Sequence, residues 1–285
     1  MRLRADRLGL LGAVLAILVP LLLQSFDETP PPRRPATIIP PPSPTPDNPV
    51  PAGPTLPPAR IGDPTITVEV ERRVQDSVGT AFKVADNTWI TARHVVDGCR
   101  MVGLVEGRRR YRRTNGAQVH PRADLAVLSA PGGPTPLAFN FTPLRRDQIG
   151  FHFGFPQGKP GDVRSRLLGR MTLRSRGRYR FEEPAIAWAE IARVPNFSGS
   201  LGGISGGPVT DRDGRVVGVT VAGSRRRGRV ITTSPETLEA YVGALGVPLA
   251  ANTPRRQVTS QNFPDAGRRL RKTRSVVQVV CRGGR

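Results

Sequence analysis

The chain has 285 residues, a formal net charge of +21, 31 glycines, 30 prolines and only 5% aromatic residues. It is long enough to bury a sizeable core, and its abundant Gly and Pro favour short strands and turns over long helices. The charge is almost entirely arginine and would attract polyanions, anionic lipid or acidic proteins. Nucleic-acid recognition also needs a recognisable binding fold and stacking aromatics; the sequence offers neither, so no specific nucleic-acid partner is expected.

The first segment, residues 1–26, carries Arg2, Arg4 and Arg7 followed by an apolar run from Leu8 to Leu23. Extended by Gln24, Ser25 and Phe26, it approaches the roughly 20 residues that a membrane span needs. No A-x-A cleavage site follows, which favours an uncleaved signal anchor over a removed signal peptide. The arginines would hold the N-terminus in the cytoplasm and export the rest. Residues 27–60 are proline-rich, as in "PPPSPTPDNPVPAGPTLPP". Such a linker cannot form a core, and as polyproline II it would reach on the order of 90 Å, the geometry of a stalk.

Residues 61–250 show short apolar runs broken by turn signals, the pattern of a β domain. Ile66 to Val74, Gly79 to Val96, Ala123 to Ala130, Ile149 to Phe155 and Arg215 to Gly223 read as strands. Asp211 to Gly214 reads as a hairpin turn. One helix is predicted near the end, with Ser234 as N-cap, Pro235 in the first helical position and Gly246 as the stop. The basic runs Gly107 to Arg113 and Gly223 to Arg229 read as solvated hairpin loops, with an anionic partner as the alternative. Residues 251–285 form a basic tail, too short for a further peptide-binding domain of ordinary size, in which Ser275 to Arg282 reads as an edge strand.

The two cysteines, Cys99 and Cys281, fit no metal-ligand spacing. In an exported protein they can pair, clipping the tail to the body, and by loop entropy so long a closure is worth roughly 5 kcal/mol before strain. No metal or organic cofactor is expected.

Acyl transfer by serine needs a nucleophile, a base, a carboxylate that orients the base and donors for an oxyanion. With three histidines the base can be sought exhaustively. His94 ends an apolar strand in "WITARHVVDG", His120 lies in a loop, and His152 alternates with aromatics along a strand. "TARHVV" (Thr91 to Val96), "ADLAVL" (Ala123 to Leu128) and "GISGGPV" (Gly203 to Val209) together, in that order, resemble the trypsin-like (chymotrypsin-fold) serine peptidases, especially the bacterial HtrA-related branch. The likeness covers Ile66 to Gly246. It implies an all-β fold of two six-stranded antiparallel β-barrels with a C-terminal helix, and an active site in the cleft between them.

The resemblance assigns Ser205 as nucleophile, His94 as general base and Asp124 as its orienting carboxylate. The N–H groups of Gly203 and Ser205 would form the oxyanion hole, and Thr220, Val221, Ala222 and Gly223 would pair with a peptide substrate as an added strand. Asp97, close to His94, is a competitor better suited to a helical turn; Ser198 and Ser200 lack the following Gly-Gly-Pro; His120 and His152 read as structural. Gly199 occupies the place where trypsin-type enzymes carry the acidic base of the specificity pocket, which argues against Arg or Lys preference. The arginines from Arg225 to Arg229 would favour acidic substrate side chains or are simply solvated. The reading is an exported, membrane-tethered serine endopeptidase acting on protein or peptide. Its rivals are a catalytically weak trypsin-like domain used as a binding module and a polybasic protein that binds nucleic acid or anionic lipid.

Overall fold

The computed structural model describes residues 52–107, 110–133, 135–224, 227–248 and 256–283. The expected anchor and the linker as far as residue 51 lie outside the described residues. Among the described residues no helix is long and apolar enough to cross a membrane. The end of the linker departs from a free stalk. Gly53 N–H donates to Arg146 O and Leu56 N–H to Leu144 O, and the buried Leu56 packs into the cluster that holds Leu144 and Trp188.

Among the described residues fourteen strands form two sheets. The first contains β2 (Ser77–Ala85), β3 (Thr88–Thr91), β4 (Met101–Gly107), β5 (Arg110–Arg113), β6 (Gly116–Val119), β7 (Ala126–Ser129) and β14 (Val276–Arg282). Its order is β5-β4-β14-β2-β3-β7-β6. The second contains β1 (Thr65–Val70), β8 (Ile149–Gly154), β9 (Gly161–Gly177), β10 (Phe181–Val194), β11 (Pro208–Thr210), β12 (Val216–Ser224) and β13 (Arg229–Thr233). Its order is β1-β9-β10-β13-β12-β11-β8, and β8 pairs back onto β9, so the ring closes on itself with β1 outside and parallel to β9. Closure removes exposed edges, the main hazard of an all-β fold.

The fold is therefore all-β and chymotrypsin-like, as the sequence led us to expect, but each sheet has seven strands rather than six. The extra strand of the second sheet is β1, from the N-terminal side. In the first it is β14, which is not an edge strand: it lies between β4 and β2, pairing with both. Residues read from the sequence as a tail beyond 250 are thus part of the body. The mostly apolar run Val276 to Cys281, broken only by Gln278, suits such a position, since an interior strand is covered on both faces.

Local chemistry explains the other elements. β9 places Val163, Ser165 and Leu167 in the interior while Arg164 and Arg166 alternate with them, the period-2 signature that the many arginines had obscured. Asp211 Oδ1 accepts from the N–H groups of Asp213 and Arg215, which closes the expected β11–β12 hairpin over Gly214 at φ +70°. The helices are α1 (Arg93–Val96), α2 (Pro235–Ala244) and α3 (Phe263–Lys272). α2 begins as predicted, with Ser234 Oγ accepting from Thr237 N–H and Pro235 in the first turn. A second helix, α3, follows it, held by a bidentate ion pair of Arg271 with the buried Asp162 at 2.5 and 2.9 Å.

Candidate active site

His94 lies on α1, the single turn that follows β3. Ala92 before it is extended, so the chain leaves the sheet abruptly and presents the imidazole at the sheet's end. Asp124 lies in the bend before β7 and is 5% exposed. Its carboxylate takes two hydrogen bonds from the same residue: His94 N–H donates to Oδ1 at 2.8 Å, and His94 Nδ1 lies 2.6 Å from Oδ2. This fixes both the position of the helix turn and the plane of the ring. The proton on Nδ1 is the tautomer this geometry favours, leaving Nε2 as the basic nitrogen.

Burial by itself would lower the His94 pKa, but the Asp124 charge and hydrogen bond outweigh it, and the net shift is upward, with Arg178 opposing. The side chain is still 27% exposed, which limits the burial penalty. Asp97 does not compete for the ring: it caps the end of α1 and pairs with Arg93 at 2.8 Å. His120 stacks edge-on against Tyr241 and accepts from Arg122 N–H. His152 is fully buried, between Thr220 Oγ1 at 3.1 Å and Ser165 Oγ at 2.7 Å, with its pKa pushed down by burial to about 3. That His–Ser pair has no access to a substrate, because Ser165 is itself fully buried.

Ser205 follows a glycine-rich turn whose shape is dictated by contacts on all sides. At Gly206, with φ +86°, a Cβ would lie 2.1 Å from Thr80 O, so only glycine fits. Thr80, from β2 of the other sheet, donates its N–H to Ser205 O at 2.8 Å and its hydroxyl to Gly203 O at 2.7 Å. Thr91 Oγ1 in turn donates to Thr80 O. The Ser205 turn, built on one sheet, is therefore clamped by the other.

Two carbonyls in this turn are also spoken for. Gly202 O accepts from Gln157 N–H at 2.5 Å, and Ile204 O accepts from Gly207 N–H at 2.9 Å. Because the peptide is planar and trans, the N–H groups of Gly203 and Ser205 point away from those partners. Gln157 also donates from Nε2 to Ser198 O and Ser200 O, so Ser198 and Ser200 serve as supports of the turn. Arg193, paired with Glu190, holds Gly199 O from the other side.

His94 and Ser205 line one cleft of about 840 Å³, with β1, Arg178 and residues Val221 to Ser224 as its walls. The strand expected to receive substrate is only partly available. Thr220 is fully buried; its N–H donates to Gly207 O and its C=O accepts from Gly206 N–H, so it cannot pair with a substrate. β11 begins at Pro208, paired with Val219, so β12 outruns its neighbour, and of the expected residues Val221, Ala222 and Gly223 line the cleft. Arg225 and Arg226 lie outside the described residues. Cys99 and Cys281 form a disulfide, with Cα atoms 5.6 Å apart.

Sequence reasoning missed Thr80, Gln157 and Glu183, the last of which accepts the Asp124 N–H at 2.8 Å. Each acts on the site from a distant part of the chain, and none lies in a motif. Among the described residues no group of His, Cys, Asp or Glu is arranged to hold a metal.

A chymotrypsin-like fold with this arrangement in its cleft defines the trypsin-like peptidases. The sequence pattern of the trypsin-like peptidase domain matches residues 79–219, so that segment is a trypsin-like peptidase domain. Among solved structures, the active form of Rv3671c protease from M. tuberculosis is similar in fold, with 17% identity and a TM-score of 0.50 over 68% of this chain and 94% of that one. The inactive form of Rv3671c protease matches at 19% identity and a TM-score of 0.48, over 62% and 90% of the two chains. The MamO protease domain from Magnetospirillum magneticum matches at 20% and 0.42, over 60% and 97%. A comparison with curated protein sequences found no match.

Proposed function

We propose that this chain is a serine endopeptidase working through an acyl-enzyme. The observation that carries the reading is the Asp124 carboxylate, which spans the main-chain N–H and ring Nδ1 of His94 in the cleft that also holds Ser205. Ser205 Oγ attacks the scissile carbonyl while His94 Nε2 takes its proton and passes it to the leaving amine. Asp124 holds the tautomer and stabilises the imidazolium that forms. The N–H groups of Gly203 and Ser205 receive the oxyanion. Water, deprotonated by the same His94, then releases the acyl group. Substrate lies as an added strand along Val221 to Gly223, and Gly199 stands where a trypsin-type enzyme carries the acid that selects Arg or Lys. Residues 8–26 tether the domain outside the cytoplasmic membrane, which a fusion of the linker to a reporter active only after export would test.

The direct test is fluorophosphonate labelling of the full chain in detergent beside Ser205→Ala, with the adduct located by mass spectrometry. An adduct confined to Ser205 is the expected result. Folded protein that takes no label would remove the peptidase reading and leave a binding module.

A further inference from the structure

Glu183 lies on β10 of the second sheet, opposite Leu173 on β9, and is only 2% exposed. Its side chain crosses to the first sheet, where Oε1 accepts the main-chain N–H of Asp124 at 2.8 Å. Its other oxygen, Oε2, is buried and has no hydrogen-bond partner among the described residues. A buried carboxyl with no cation against it is an unusual thing to keep next to a second carboxylate, because each charge penalises the other and neither is hydrated. Tyr179, in the turn between β9 and β10, borders Asp124 as well, with its hydroxyl likewise buried and unpartnered among the described residues.

We propose that Glu183 is a positioning residue for the peptidase reaction, fixing the main chain of Asp124 from the opposite sheet and so setting the carboxylate that orients His94. This rests on the roles given above to His94, Asp124 and Ser205. Only one hydrogen bond is required of Glu183, and the carbonyl oxygen of an uncharged carboxyl can accept it. Burial first, and then the Asp124 charge, push its pKa well above the ordinary range, which favours the neutral acid. The charge that acts on this group is Asp124; Arg93, over the face of Tyr179 at 4.1 Å, and Arg178, which donates to Asp97 O, act on the neighbouring Tyr179. An ionised Glu183 would add a negative charge beside the triad and raise the His94 pKa further. A neutral one leaves that pKa to Asp124.

The test uses the full chain in detergent and two variants, with folding checked by thermal unfolding. Glu183→Gln keeps a neutral acceptor of the same length; Glu183→Leu keeps volume and removes the acceptor. Hydrolysis of a peptide substrate is followed across pH, and the His94 Nδ1–H proton is followed by NMR. Glu183→Gln is expected to keep kcat and the acid limb of the pH profile. Glu183→Leu is expected to lower kcat by about 10²-fold, as for a displaced catalytic group, with KM little changed, and to shift the Nδ1–H resonance. Wild-type kcat and an unmoved resonance in Glu183→Leu would overturn the proposal, as would an acid limb displaced in Glu183→Gln. Should Glu183→Leu fail to fold, Glu183→Asp, which retracts the acceptor, takes its place with the same expectations. If the wild-type chain neither hydrolyses peptide nor takes label at Ser205, the peptidase reading fails, while the resonance still decides whether Glu183 sets the Asp124–His94 pair.

Discussion

His94 donates to Asp124 twice, once from its main chain and once from its ring. The consequence is a base that gains its proton more readily than a free imidazole, because the neighbouring charge favours the imidazolium. The general base works only when neutral, so a raised pKa moves the acid limb of kcat/KM upward. We expect activity to fall as the pH drops through a midpoint above about 6.5, the ordinary histidine value; a profile flat between about pH 5 and 8 would contradict this. Asp124→Asn should keep the fold but lower kcat by about 10⁴-fold, because the amide opposite Nδ1 favours the wrong tautomer. The pairing of His94 with Asp124, and the cleft that His94 shares with Ser205, were legible because each residue lies in a short motif. Thr80, Gln157 and Glu183 were not, because each contributes one hydrogen bond across a fold that no local pattern encodes.

The longest elements, β9 and β10, were absent from the strands read in the sequence, although β9 alternates along most of its length. Arginine at every second or fourth position of β9 masked its apolar face, and paired acids such as Glu182 and Glu236 that neutralise Arg174 and Arg170 come from other segments. The helix α3 was missed for a related reason: four of its ten residues are Arg or Lys, and its anchor, Asp162, lies at the start of β9. Arg271→Ala would strand that buried carboxylate and should cost about 3–5 kcal/mol, measurable as a lowered denaturant midpoint. In the nucleophile turn, Gly206→Ala should abolish labelling at Ser205, since a methyl group cannot fit against Thr80 O. Structured protein with full labelling would disprove this.

The disulfide spans 182 residues of sequence and joins the chain just beyond α1 to β14. Replacing Cys99 and Cys281 by serine should destabilise the protein by up to roughly 5 kcal/mol, read as a shift in the urea midpoint relative to the oxidised wild type. The pairing itself was open to the sequence once export was assumed; the place of β14 was not, because a single apolar run does not say which neighbours it will find. That place bears on how the protein is made. A ribosome delivers the chain in order, and the whole stretch from His94 to Ser205 emerges before residues 276–282. Until those residues arrive, β2 and β4 have no partner between them, and the sheet that carries His94 has a gap in its middle. Loop closure over so long a separation is a late and slow event. A nascent chain therefore carries His94, Asp124 and Ser205 without a finished sheet to align them, and the cleft they border takes its final shape only when synthesis is nearly over.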